Sequence, residues 1–133
     1  VKVFRATPEF LQRFPGRDVD VGIAEQNMVA TAAGLAACDL TVFAATYAGF
    51  ITMRACEQVR TFVAYPGLNV KFIGANAGIF GGEREGVTHQ FFEDLAIVRS
   101  IPGVTVVVAT HDQTWIERYH PNVLRLDHGR VVQ

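Results

Sequence analysis

The sequence predicts one α/β domain: a three-layer α/β/α sandwich on a doubly wound, mainly parallel sheet, closed by a C-terminal β-hairpin. Three observations predict it. Strand-like and helix-like segments alternate along the chain, the pattern of βαβ units whose parallel sheet is covered on both faces by right-handed crossovers. The 133 residues, half of them apolar, suit a single domain with a sizeable core. The end breaks the alternation: two short apolar runs flank Asp127-His128-Gly129, a hairpin signal.

The elements follow in order. Val1–Phe4 reads as a short strand. Thr7-Pro8 supplies an N-cap with proline at the first helical position, opening a helix to about Phe14. Asp18–Val21 is the second predicted strand. Glu25–Cys38 is a helix with Met28, Ala32, Leu35 and Ala36 on one face, and its alanines and Gly34 allow a close approach to the sheet. Leu40–Ala44 is a strand, and Phe50–Tyr65 a helix with Ile51, Ala55, Val59 and Phe62 inward, stopped by Pro66-Gly67. Val70–Ile73 is a strand, and Asn76 to Val87 a glycine-rich loop. Thr88 is placed to cap a helix that turns Phe91, Leu95 and Val98 inward. Pro102-Gly103 turns into Val104–Val108, the most strongly apolar strand candidate. A helix over Gln113–Tyr119 and strands over Val123–Leu126 and Arg130–Val132 complete the chain.

Composition excludes several classes. A net charge of −1 gives no reason to expect nucleic acid as a partner. No apolar run approaches the roughly 18–20 residues of a membrane span, and the polar residues around Lys2, Arg5 and Pro8 do not read as a signal peptide. Cys38 and Cys56 form no metal-ligand spacing and read as two reduced, buried thiols of a cytoplasmic protein.

Ligands of doubly wound sheets bind beyond the carboxyl ends of the strands. The predicted loops there are Gly22–Glu25, Ala45–Phe50 and Ala75–Val87. They carry Glu25, Tyr47 and Phe50, and Glu83, Arg84 and Glu85, with His89 just beyond. Each also has an ordinary structural reading. Glu25 is an acid in a first helical turn, worth about 0.3–1 kcal/mol against the helix dipole. Tyr47 and Phe50 suit a core, and His89 a helix start. Neither GxxxxGK[ST] nor GxGxxG occurs, so the glycine-rich loop carries no phosphate-binding pattern.

Three blocks go further: GIAEQNMVATAAGLAA, TVFAATYAGFITMRACEQVR and GGEREGVTHQFFEDLAIVRSIPGVTVVV. Over about residues 8–108 they closely resemble the pyrimidine-binding (PYR) domain of transketolase, best the C-terminal subunit of split transketolases. The resemblance implies thiamine diphosphate in the parent family. It implies that Glu25 hydrogen-bonds N1′ of the aminopyrimidine and shares its proton, that Tyr47 and Phe50 pack against that ring, and that His89 lies near the sugar. Two departures stand out: Met53 where a tyrosine is frequent, and GGEREGVTHQ where relatives have a GEDGPTHQ-like loop. The family holds diphosphate and Mg²⁺ in a separate pyrophosphate-binding (PP) domain with a GDG…NN motif. This sequence has no GDG and no carboxylate cluster for a metal site. The expectation is therefore no cofactor bound by this chain alone, no independent catalysis, and a PP-domain subunit or self-association as partner. The alternative is a half-site subunit transferring two-carbon ketol units when paired.

After Val108 the chain reads ATHDQTWIERYHPNVLRLDHGRVVQ. This resembles the end of an ABC-transporter ATPase of the FtsE type, with His111 at the switch-histidine position, although Walker A, Walker B and LSGGQ motifs are all missing. The two resemblances meet within Val104–Ala109 and imply an engineered or recombined chimera, a transketolase-like body over 1–108 and an ATPase-like tail over 109–133. A nucleotide-binding module is the third reading.

Overall fold

The computed structural model describes residues 6–79, 86–119, 122–128 and 130–132. The predicted strand Val1–Phe4 and the loop acids Glu83 and Glu85 with Arg84 lie outside them. The described elements are α1 (Pro8–Arg13), α2 (Glu25–Ala37), β1 (Val42–Tyr47), α3 (Cys56–Gln58) between π-turns at Phe50–Arg54 and Val59–Ala64, β2 (Val70–Ala75), a 3₁₀ turn (Val87–His89), α4 (Asp94–Arg99), α5 (Gln113–Tyr119), β3 (Arg125–Asp127) and β4 (Arg130–Val132).

The α/β class, its parallel sheet and its C-terminal hairpin are all present. β1 and β2 pair in parallel from Val42↔Val70 to Tyr47↔Ala75. The segment between them crosses over one face, as a parallel pair requires. β3 and β4 form the antiparallel hairpin, with Asp127 opposite Arg130 and His128 at φ 45° in the turn.

Two predicted strands are not strands. Asp18–Val21 is irregular backbone, and the Asp20 carboxylate accepts from Gly22 N–H at 2.9 Å. That local bond offers the backbone an alternative to a ladder. Val104–Val108 also lacks a ladder, and Val107 is 90 % exposed. Its residues favour extended backbone, but β-propensity records packing beside a neighbour, and among the described residues no strand is paired with it.

The core sits between α2 and the crossover. Val29, Ala33, Ile51, Ala55, Val59, Val63 and Ile101 are buried together, with Met28, Leu68, Val70, Phe72 and Val104 against them. Along α2 the buried apolar face is Val29, Ala32, Ala33 and Ala36, while Leu35 turns outward. The crossover was predicted as one α-helix, but i→i+5 bonds run from Ala55 N–H to the Phe50 carbonyl (3.1 Å) and from Tyr65 N–H to the Arg60 carbonyl (2.9 Å). The buried residues explain the change. Ile51, Ala55, Val59 and Val63 recur every fourth position. On an α-helix such a row would drift by about 40° per step; the wider π-turns drift it the other way, and alternating with the α-turn at Cys56–Gln58 they hold it near one face. Val63 is therefore buried, and the expected Phe62 is 41 % exposed.

Three smaller expectations change. Thr88 caps no helix: it lies in the 3₁₀ turn, and α4 begins at Asp94, whose carboxylate accepts from Leu95 N–H at 2.7 Å. Cys38 is exposed and Cys56 only half-buried, both as free thiols. Leu95 and Val98 are half-buried, while Phe91 is fully inward. The first helix forms as expected, with Phe10 N–H donating to Thr7 Oγ1 at 3.3 Å and Pro8 in the first turn. No helix among the described residues is long and apolar enough to cross a membrane.

Candidate functional site

Glu25 opens α2, with Ala24 before it at the N-cap providing no side-chain cap. A helix-dipole residue needs no burial, yet Glu25 is only 6 % exposed. Its partner comes from elsewhere in the chain: Arg54 Nη1 lies 2.9 Å from Glu25 Oε2. The pairing offsets the desolvation of the carboxylate. The arginine is at the rim, its side chain 48 % exposed, so solvent screens the pair from outside. The next residue of α2 grips the same arginine by its backbone, Gln26 Nε2 donating to the Arg54 carbonyl at 3.1 Å.

The π-turn sets where Arg54 points. Phe50 and Arg54 stand at its two ends, and the Arg54 guanidinium carbon lies 4.1 Å from the Phe50 ring centroid. This cation–π contact leads from Glu25 directly into an aromatic cluster. Tyr47, at the end of β1, meets Phe50 edge-on at 5.6 Å. His89 meets Tyr47 at 5.1 Å and Phe50 at 5.0 Å, both edge-to-face. Phe91 backs Phe50 at 5.5 Å. Such tilted arrangements are the favoured geometry of aromatic pairs.

His89 reaches the cluster through a small loop closure. Phe91 N–H donates to the Gly78 carbonyl (2.8 Å), and Gly78 N–H donates to Asp94 Oδ2 (3.1 Å). These bonds tie the loop after β2 to the start of α4 and set the 3₁₀ turn beside β1. Thr88 Oγ1 and His89 Nδ1 are hydrogen-bonded at 3.0 Å. Asp94 is the second buried acid, and the contrast with Glu25 is instructive. The Asp94 carboxylate accepts from two backbone N–H groups, a structural arrangement; Glu25 faces a partly exposed side chain at the rim.

The four residues to which the resemblance gives a role, Glu25, Tyr47, Phe50 and His89, thus join one connected group. Sequence reasoning missed Arg54, the link that connects the glutamate to the rings, and Phe91 as the buried support of the cluster. The signal for Arg54 was present in the four-residue spacing from Phe50, which an α-helix would also bring to one face.

The family profile described as "Transketolase, pyrimidine binding domain" matches residues 3–130. The chain belongs to this family. It is 44% identical over 118 residues to the 6-deoxy-6-sulfo-D-fructose transketolase subunit SqwH of Clostridium sp. (strain MSTE9), covering 89% of this chain and 36% of that protein. It is 46% identical over 98 residues to 1-deoxy-D-xylulose-5-phosphate synthase of Lysinibacillus sphaericus, covering 73% of this chain and 15% of the synthase. Among solved structures, a split-gene transketolase described as an inactive β4 tetramer superposes with a TM-score of 0.60 at 43% identity, over 72% of this chain and 30% of that one. This pyrimidine-binding domain therefore spans about a third or less of the relatives it matches. The profile continues through residues 109–130, the stretch read from sequence as an ATPase-like tail. The comparisons give no support to that tail, to a chimera or to a nucleotide-binding module. In the structure, His111 is exposed, and Asp112 beside it accepts from Trp115 N–H at 3.1 Å as the cap of α5.

Proposed function

We propose that this domain supplies the aminopyrimidine half of a thiamine-diphosphate site, and that it works as one half of a split transketolase. The observation that carries the reading is a buried glutamate at a helix start, joined through Arg54 to flat rings beside it. The donor set fits an aminopyrimidine: a carboxyl for one ring nitrogen and aromatic faces for the ring. In this reading Glu25 holds N1′ and exchanges its proton, Tyr47 and Phe50 pack against the ring, and His89 stands on the side of the sugar. Burial of the carboxyl strengthens its hydrogen bond to a ring nitrogen. When bound, the cofactor supplies the electron sink for moving a two-carbon ketol unit.

The same residues offer no clamp for a diphosphate with Mg²⁺. Among the described residues no group of three His, Cys, Asp or Glu comes together. Those contacts are assigned to a partner subunit of PP type, so the domain is expected to be silent by itself. A solved split-gene transketolase described as an inactive β4 tetramer is in line with this expectation and with association between copies.

The test is reconstitution. This domain is mixed with the diphosphate-binding subunit of a split transketolase, thiamine diphosphate and Mg²⁺, and ketol transfer from a ketose phosphate to an aldose phosphate is followed. The expected result is transfer with the mixture, none with either component, and none with Glu25→Gln, which can hold the ring but cannot exchange the proton. Transfer that survives Glu25→Gln would refute the reading.

A further inference from the structure

Glu25 must present a carboxylate oxygen in one orientation if it is to meet a ring nitrogen, yet α2 fixes only its backbone. The structure shows what fixes the rest. Arg54 takes one of the two carboxylate oxygens at 2.9 Å. Its guanidinium lies over Phe50 at 4.1 Å. Gln26, adjacent to the glutamate, holds the Arg54 carbonyl at 3.1 Å. The Glu25-Gln26 pair therefore grips both ends of one residue, and that residue stands between the carboxylate and the aromatic ring.

We propose that Arg54 is a positioning residue for Glu25: it fixes one carboxylate oxygen and the face of Phe50, and so presents the other oxygen to an aminopyrimidine. The proposal rests on the reading of the site given above. Phe50 and Arg54 lie at the ends of one π-turn, Phe50–Arg54, and π-bulges are often found at functional sites. The geometry depends on arginine. A planar guanidinium can stack on a ring and donate to a carboxylate at once, whereas the ammonium of lysine is a point charge.

Binding of thiamine diphosphate to the reconstituted complex, read by calorimetry and by circular dichroism of the bound cofactor, tests the idea with Arg54→Met, Arg54→Lys, Glu25→Gln and the double variant E25Q/R54M. The expected loss for Arg54→Met is about 10- to 100-fold in affinity, the scale of one hydrogen bond to a charged group. Arg54→Lys should recover part of it, and Arg54→Met should cost nothing further in the Glu25→Gln background. That non-additivity separates positioning from general destabilisation. If Glu25→Gln weakens binding but Arg54→Met does not, or if the two losses add, the positioning role is overturned and the cofactor reading stands. If Glu25→Gln binds as tightly as the wild type, an amide holds the ring without the charge pair and the positioning role is overturned; if the wild-type complex does not bind, both are overturned.

Discussion

Gly49→Ala and Gly34→Ala should change stability in opposite directions, although both glycines have helical surroundings. Gly49 precedes the π-turn at φ −65° and ψ −27°, a conformation alanine adopts without strain. By backbone entropy alone the substitution would stabilise by about 0.4–1 kcal/mol. The new methyl, however, would fall on the ring of Phe91, overlapping its Cγ, Cδ1 and Cε1 positions. Phe91 is 2 % exposed, its backbone is bonded to Gly78 and its ring is packed on Phe50, so it has no open space to enter. Overpacking of this kind costs roughly 1–3 kcal/mol. The clash exceeds the entropic gain, and the net expectation is a loss of about 1–2 kcal/mol. Gly34 lies exposed within α2, and a methyl there meets nothing within 4 Å. It should stabilise by about 0.5–1 kcal/mol, the ordinary glycine-to-alanine difference in a helix. Urea titrations followed by far-ultraviolet circular dichroism, at one protein concentration because association would shift the midpoint, give both values. Gly49→Ala as stable as the wild type, with an unmoved Phe91 ring by NMR, would refute the packing described for the cluster.

Arg54→Met leaves the buried Glu25 carboxylate without its cation and should destabilise by about 1–3 kcal/mol, less than the cost at a fully buried pair because Arg54 is half exposed. Glu25→Gln added to it should restore part of the loss; additive denaturation midpoints would contradict the pair. Asp94→Ala strips the acceptor from the half-buried Gly78 and Leu95 N–H groups and should cost about 1–2 kcal/mol, with Asp94→Asn milder because an acceptor oxygen remains; equal midpoints for the two variants would contradict the latch. The Glu9 carboxyl is held below its ordinary range by its backbone hydrogen bond and by the Thr7 side chain, with burial opposing weakly. Because its folded value is depressed, its contribution to α1 is present above the unfolded value and lost as pH falls through the folded one. Protection of the α1 amides, corrected for the intrinsic pH dependence of exchange, should therefore fall at acid pH, and a profile unchanged by Glu9→Gln would contradict this origin.

Periodicity and caps made much of the fold legible. Thr7-Pro8 announced α1, alanine-rich spacing announced α2, and both strands of the parallel pair were found from their β-branched and aromatic residues. What failed was whatever depends on a neighbour. Val104–Val108 has every residue a strand wants, but a strand is defined by the ladder beside it, and composition does not contain that information. Asp18–Val21 failed for a nearer reason, since Asp20 can satisfy the Gly22 N–H locally. Thr88 looked like a cap by residue type, but Asp94 starts the helix because its carboxylate also reaches Gly78 across the loop.

The site divides along the same line. Glu25, Tyr47, Phe50 and His89 stand at loop ends where a parallel sheet gathers its ligand contacts, so topology brings them forward. Arg54 lies past the loop, inside what reads as a continuous helix, and nothing in its residue type separates it from Arg60 six positions later. Both lie in π-turns, and what separates them is the setting of Arg54, with Phe50 four residues before it and Glu25 across from it; the reason for the winding lies in the core. Ile51, Ala55, Val59 and Val63 must stay in one buried row at four-residue spacing, and the backbone widens to keep them there. The widening at Phe50–Arg54 is also what lays the guanidinium over Phe50 and within reach of Glu25. Core packing and site geometry are thus two consequences of one backbone feature. A single-residue deletion that returns this segment to α-helical winding should then disturb both together, exposing part of the Ile51–Val63 row and detaching Arg54 from Glu25.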